Sequence, residues 1–118
     1  MRVLLLHGPN LNLLGSREPE IYGTATLAEL VERCRQWASD LGIELEAHQS
    51  NHEGVLIDLI HDAIGRCNGI VINPGAYAHT SYALHDALTA AGVPAIEVHL
   101  SDISAREEWR AVSVTAPA

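Results

Sequence analysis

The feature that most constrains the fold is a regular alternation of strand-like runs with stretches of helical spacing. The strand-like runs are "RVLLL", "IELEAHQSN", "GIVIN" and "PAIEVHLS". The stretches with helical spacing are "TLAELVERCRQWASDLG", "EGVLIDLIHDAIGRCNG", "YALHDALTAAG" and a short final "AREEWRAV". Strands that alternate with helices predict a parallel sheet with helices on both faces. No repeat or linker divides residues 1–118, so we expect them to form a single α/β domain.

Helix ends can also be predicted from local signals. Thr26 and Glu29 form a capping box at the start of the first helix, and Gly42 supplies its stop. The second helix is expected to end at "NG", residues 68–69. For the third helix, Thr80 and Ser81 are both candidate caps.

Composition excludes several classes of protein. The 118 residues carry a formal charge of -8, which argues against binding to nucleic acid or to an anionic membrane. All seven basic residues are arginines, so no lysine can form an imine with a substrate.

The two cysteines and the first residues of the chain indicate the cellular compartment of the protein. Cys34 and Cys67 lie in apolar helical patterns without a C-x-x-C motif, which predicts buried free thiols in a reducing compartment. The apolar run in "MRVLLLHGPN" is too short for a signal peptide, and no stretch approaches membrane-spanning length. A cytoplasmic protein is therefore expected.

Polar residues collect where the predicted strands end. The strand exits read "HGPNLN", "HQSN", "INPGAYAHTS" and "EVHLSD". In parallel α/β sheets, ligands bind at this edge, near a switch in strand order. The loop "HGPNLNLLGSREPEIYG" leaves the first exit, so its Arg17 and Tyr22 can close over the same crevice. The sequence thus predicts that this loop is part of an active site.

Several common kinds of site are disfavoured. The chain has no G-x-G-x-x-G, no G-K-[ST] and no G-x-S-x-G, which weakens the dinucleotide, P-loop and α/β-hydrolase interpretations. His48 and His52 are four residues apart, but at a strand exit this spacing does not align them on one face. A metal site there is the less favoured interpretation.

Two pairs of residues suit proton transfer. In a strand, Glu97 and His99 point to the same face, so the carboxylate can fix the tautomer and orientation of the imidazole. A purely structural Glu–His pair is the alternative. Tyr22 is a poor base with a reference pKa of ~10, but a nearby guanidinium lowers such a pKa by ~1–3 units. Arg17 is the available guanidinium, and a packing role for Tyr22 is the alternative.

The stretch "NPGAYAHTS" suits an oxygen-rich ligand. Asn73 follows a strand, Pro74-Gly75 forces a tight turn, and His79 comes shortly after. Asn73 could instead serve only as a turn-former. Taken jointly, these residues predict a small anionic, hydroxylated substrate and proton transfers by Tyr and His. A flavodoxin-like binding or signalling module without catalysis is the alternative.

The motifs closely resemble those of the type II 3-dehydroquinate dehydratase (3-dehydroquinase) family. The matching stretches are "GPNLNLLGSREPEIYG", "QSNHEG", "INPGAYAHTS", "EVHLS" and "AREEWR", which cover essentially the whole chain in order. The resemblance implies a flavodoxin-like three-layer α/β/α fold. It also implies a lyase that removes water from 3-dehydroquinate, giving 3-dehydroshikimate by anti elimination through an enolate. The resemblance implies that neither a metal nor an organic cofactor takes part. The pathway would be the shikimate pathway of chorismate and aromatic amino-acid biosynthesis, or quinate catabolism.

The resemblance also implies a role for each site residue. Tyr22 would remove the proton beside the ketone, while Arg17, on a mobile loop of about residues 10–23, would stabilise its phenolate. Asn10 would help to stabilise the enolate through an ordered water, and His99, oriented by Glu97, would protonate the departing hydroxyl. The implied substrate-binding residues are Asn73, His79, the backbone of Leu100, Ser101 and Arg110. Asp86 would reach in from a neighbouring subunit of a dodecamer built from trimers.

Some positions depart from the family pattern. Asp102 stands where Asn is usual, Ser104 replaces a usual His, and His85 replaces a usual Arg. Ala111-Val112 replaces a pair that is usually basic. Members of the family continue past "SVTAPA" into a further parallel strand and a closing helix. From residues 1–118 we therefore expect a sheet that has one strand fewer than usual and lacks the closing helix.

Overall fold

The computed structural model describes residues 1–16, 20, 23–100 and 112–117. Four strands alternate with three α-helices in it. In chain order they are β1 (Arg2–His7), α1 (Leu27–Asp40), β2 (Glu44–Gln49), α2 (Glu53–Ala63), β3 (Gly69–Asn73), α3 (Tyr82–Ala91) and β4 (Ala95–Glu97). Two 3-10 turns, Leu11–Leu13 and Gly75–His79, follow β1 and β3.

All neighbouring strands of the sheet are parallel, as predicted. Their order is β2-β1-β3-β4, with Leu5 opposite both Ala47 and Val71. The chain moves outward from β1 to β2 and then crosses back to β3. The point where strand order switches therefore lies between β1 and β3, the usual place for a ligand in such a sheet.

Alternate side chains of the sheet pack against different helices. Leu4, Leu6, Ile70 and Ile72 form the main core with apolar residues of α2 and α3. The opposite face lies under α1, where His7, Ala47 and Gln49 line a cleft with the first turns of that helix. This arrangement confirms the three-layer, flavodoxin-like α/β/α prediction.

Most of the predicted helix ends are confirmed. Thr26 caps α1 by accepting the backbone N–H of Glu29 at 3.2 Å, and Gly42 follows with φ of 72°. Ser81, not Thr80, caps α3 by accepting from the backbone N–H of Leu84 at 3.0 Å.

Two boundaries were predicted wrongly. Helix α2 ends at Ala63, not at residues 68–69, because Gly65 takes a left-handed φ of 74° and turns the chain toward β3. Strand β4 is only three residues long and ends at Glu97, so His99 lies just beyond it. The predicted final helix over "AREEWRAV" lies outside the described residues, apart from Val112.

The remaining sequence predictions concern thiols and membranes. Both cysteines are free: Cys67 is buried in the turn after α2, and Cys34 is half-buried on α1. In the described ranges, no helix is both long and apolar enough to cross a membrane.

Strand β4 lies at one edge of the sheet, and its Ile96 keeps 65% of its surface exposed.

Candidate active site

The loops that leave β1 and β3 touch at two glycines. Gly8 donates its backbone N–H to the carbonyl oxygen of Asn73 at 2.8 Å. A Cβ at Gly8 would overlap the carbonyl group of Pro74, and a Cβ at Gly75 would lie 3.1 Å from the Pro9 carbonyl oxygen. The turns at Gly8-Pro9 and Pro74-Gly75 therefore bring Asn10 and Asn73 to one edge of the sheet.

Asn10 has a constrained backbone. Its φ of 68° is left-handed, which Asn tolerates better than most residues do. Its backbone N–H donates to Oδ1 of Asn51 at 3.0 Å. Gln49 Nε2 donates to the same Oδ1 and to the Gly8 carbonyl oxygen, each at 3.1 Å. Gln49 and Asn51, at the end of β2, thus fasten the loop that follows β1 through these hydrogen bonds.

Asn73 and His79 each have a structural partner. Asn73 is buried, and its Oδ1 accepts the backbone N–H of Gly75 at 3.2 Å, which supports the predicted tight turn. His79 Nδ1 lies 2.6 Å from the carbonyl oxygen of Val112. Since a carbonyl can only accept, Nδ1 carries the proton. The turn-forming interpretation of Asn73 is therefore confirmed, and its role in substrate binding stays a prediction.

Glu97 and His99 form the predicted pair. His99 Nε2 donates to Glu97 Oε2 at 2.9 Å, and the two side chains are only 18% and 11% exposed for His99 and Glu97 respectively. Burial by itself raises the pKa of the Glu97 carboxyl, but hydrogen bonds from Thr115, His99 and Ser113 outweigh it and leave the pKa below its usual value. The ionised carboxylate can only accept a hydrogen bond, so the proton between the two groups lies on Nε2, and Nδ1 is the other ring nitrogen at which a proton can be gained or lost.

The remaining predicted site residues are either exposed or outside the described residues. Asp86 is exposed on α3, and Leu100 is exposed just beyond His99. Four predicted residues lie outside the described residues: Arg17, Tyr22, Ser101 and Arg110. So do the unusual Asp102, Ser104 and Ala111, whereas His85 is described and its Nδ1 contacts the carbonyl oxygen of Val114 at 2.9 Å.

The sequence interpretation missed three contributors. Asn51 fastens the first loop, and it stands inside the quoted motif "QSNHEG", which was the available signal. Ser113 and Thr115 both donate to Glu97, from 16 and 18 residues further along the chain. No local pattern indicates such a long-range contact.

His7, at the end of β1, is buried in the sheet. Its Nδ1 has no hydrogen-bond partner among the described residues, and burial lowers the pKa of the imidazole. A neutral His7 is expected near neutral pH. This residue helps to fill the face under α1.

Among the described residues, no group of three or more His, Cys, Asp or Glu is arranged to hold a metal ion. His48 instead pairs with Glu46, with Nε2 3.4 Å from Oε1.

Fold and site together define an α/β protein with a carboxylate–imidazole pair at the carboxyl edge of a parallel sheet. The Dehydroquinase class II family matches residues 1–118. The chain belongs to that family, which confirms the prediction of an enzyme, a hydro-lyase, over that of a non-catalytic module.

Individual relatives agree with this assignment. A 3-dehydroquinate dehydratase of Gloeobacter violaceus is 57% identical over 117 residues, covering 99% of this chain and 73% of the relative. A catabolic 3-dehydroquinase of Verticillium alfalfae is 56% identical over 109 residues, covering 92% of this chain and 73% of the relative. The crystal structure of a type II dehydroquinase from Butyrivibrio crossotus is 49% identical and superposes with a TM-score of 0.97, covering 99% of this chain and 82% of that one.

Proposed function

We propose that the chain is a hydro-lyase that converts 3-dehydroquinate to 3-dehydroshikimate and water. Membership of the Dehydroquinase class II family supports this reaction. The observation that carries it in the structure is the contact of 2.9 Å between His99 Nε2 and Glu97 Oε2. A shielded carboxylate that holds an imidazole in one tautomer is the arrangement that a proton donor to a leaving hydroxyl requires.

The proposed reaction is an anti elimination in two steps. Tyr22, as a phenolate stabilised by Arg17, takes the proton beside the ketone, and the electron pair of that C–H bond forms an enolate. Asn10 stabilises the enolate through an ordered water. The enolate then collapses, the C–O bond breaks, and the Nδ1 proton of the His99 imidazolium passes to the departing hydroxyl, which leaves as water.

Substrate binding would use the polar groups at the strand exits. Asn73, His79, the backbone of Leu100, Ser101 and Arg110 would hold the hydroxyls and the carboxylate. Contacts of residues 112–113 support this grouping: the Val112 carbonyl oxygen accepts from His79 at 2.6 Å and Ser113 donates to Glu97 at 2.8 Å, which links the ends of β3 and β4. Neither a metal nor an organic cofactor takes part in the proposed steps.

Assembly and location belong to the same proposal. Asp86 would complete a neighbouring site within a trimer, and four trimers would form a dodecamer. Its exposure on α3 supports this role. The shikimate pathway and quinate catabolism both fit the reaction, and the Verticillium alfalfae relative is named as catabolic. The free thiols of both cysteines accord with the expected cytoplasmic location.

The direct test is the absorbance of the conjugated enone that forms from purified protein and 3-dehydroquinate. Wild-type protein should turn the substrate over, and His99→Ala should lower turnover by about 10²-fold or more through loss of the proton donor. His61→Ala, at an exposed position on α2, is the matched control and should stay active. Absence of enone with folded wild-type protein would contradict the proposal.

A further inference from the structure

The segment of residues 112–117 lies across the exits of β3 and β4. Val114 donates its backbone N–H to the Ala78 carbonyl oxygen at 2.6 Å. Its own carbonyl oxygen accepts from His85 Nδ1 at 2.9 Å, and the Val112 carbonyl oxygen accepts from His79 Nδ1 at 2.6 Å. The backbone of the segment is therefore fixed against the 3-10 turn after β3 and the first turn of α3.

Two hydroxyls of this segment reach both oxygens of Glu97. Ser113 Oγ donates to Oε2 at 2.8 Å, alongside His99, and Thr115 Oγ1 donates to Oε1. The backbone N–H of Ala116 donates to Ser113 Oγ at 3.1 Å, which leaves the hydroxyl proton of Ser113 directed at the carboxylate. Thr115 is buried, with 2% of its surface exposed.

These contacts restrict how Glu97 can behave. A carboxylate held only by His99 could rotate about its last torsion, which is a broad one, and release the imidazole. With a separate donor on each oxygen, rotation would break two or three hydrogen bonds at once. Only the ionised carboxylate accepts all three bonds, so the same hydroxyls favour its charged form.

We infer that Ser113 and Thr115 are positioning residues, which act on the reaction by holding the Glu97 carboxylate in the rotamer that orients His99. They touch neither the substrate nor the proton that moves. The kinetic consequence of this inference depends on the proposed function, whereas its effect on the His99 ring does not.

Steady-state kinetics test the first part. Thr115→Val keeps the shape and removes the hydroxyl, so kcat should fall about 10-fold while KM changes by less than about 2-fold. The Ser113→Ala/Thr115→Val double variant should lose about 10²-fold in kcat. Thr115→Ser restores a hydroxyl and should recover most of the activity. Thr89→Val, at an exposed position on α3, is the matched control and should equal wild type.

The second part is measured without substrate. In ¹⁵N NMR spectra of the ligand-free protein, wild-type His99 should be protonated at Nε2, and the double variant should show a mixture of the two ring tautomers. A changed tautomer ratio supports the inference even if the wild type does not turn over 3-dehydroquinate, an outcome that would defeat only the proposed function. An unchanged His99 signal in a folded double variant overturns the inference. If the wild type is active, equal activity of Thr115→Val and wild type overturns it as well. Equal loss of kcat in Thr115→Ser and Thr115→Val would also overturn it.

Discussion

At the scale of single residues, Asn73 shows how one side chain can serve both the fold and a site. Its Oδ1 accepts the backbone N–H of Gly75 and so forms the turn after β3. Both interpretations of Asn73 from the sequence therefore remain compatible, because an amide also has donors to offer a ligand. For Tyr22 and His99, the question at this scale is which of the two side chains moves which proton.

Tyr22→Phe should separate binding from chemistry. The variant keeps the ring and deletes the proposed base, so turnover should fall by at least about 10²-fold while binding survives. Tyr82→Phe is the matched control, since Tyr82 is 70% exposed on α3.

Deuterium exchange distinguishes the two proton transfers. His99→Ala should still exchange the proton beside the ketone with solvent deuterium, because proton removal precedes departure of the hydroxyl. Tyr22→Phe should lose that exchange, and Arg17→Ala should slow it and move the basic limb of the pH–rate profile. Exchange at the wild-type rate in Tyr22→Phe would mean that another group is the base.

The lowered pKa of Glu97 predicts a pH-dependent contribution to stability. Because the carboxyl has a lower pKa in the folded state than in the unfolded chain, it stabilises the fold above its unfolded value of 4.5. That contribution is lost as the pH falls through the folded pKa. The free energy of unfolding should therefore fall less between pH 7 and acid pH in Glu97→Gln than in wild type.

Urea unfolding at a series of pH values measures this difference. Glu32→Gln, at an exposed position on α1, is the control and should follow the wild-type curve. Parallel curves for Glu97→Gln and wild type would show that the Glu97 hydrogen bonds contribute equally at both ends of the range.

At the scale of elements, the site depends on how closely the exits of β1 and β3 approach. Gly8 has no room for a side chain beside Pro74, whereas a Cβ at Gly54 in α2 would meet nothing within 4 Å. The same substitution should thus have opposite effects at the two positions.

Gly8→Ala should destabilise the protein by about 1–3 kcal/mol and lower activity, because the two exits must separate to admit the methyl group. Gly54→Ala should leave activity intact and raise stability by about 0.4–1 kcal/mol, since it reduces the freedom of the unfolded chain. Thermal unfolding together with the enone assay checks both. Equal melting temperatures for Gly8→Ala and wild type would show that the loops after β1 and β3 can move apart without loss of stability.

At the scale of the whole molecule, a shared site can be tested by mixing subunits. Asp86→Asn and His99→Ala should each be nearly inactive as homo-oligomers. When the two are unfolded and refolded together, some sites combine an intact His99 with an intact Asp86 from the neighbour, so activity should return. Sedimentation gives the assembly size in the same samples, and no recovery in mixed oligomers would place Asp86 outside the neighbour's site.

The absence of lysine makes a further prediction for the whole chain. Borohydride in the presence of 3-dehydroquinate should leave activity intact, because no lysine can form a reducible imine. Mass spectrometry of the treated protein should show the unmodified mass. A substrate-sized adduct with loss of activity would require a different mechanism.

The sequence by itself determined the layered α/β architecture, most element ends and the pairing of Glu97 with His99. These follow from signals within a few residues: apolar period, capping side chains, glycine stops and, for Glu97 and His99, a separation of two residues at the end of a strand. Tertiary structure alone decided that Asn51 fastens the first loop, that Gly8 must lack a side chain and that Ser113 and Thr115 hold Glu97. Each of those contacts joins residues far apart in the chain. The order and register of the strands bring Gly8 and Asn51 to their partners, and the hydrogen bonds that Val112 and Val114 form with Ala78, His79 and His85 bring Ser113 and Thr115 to Glu97.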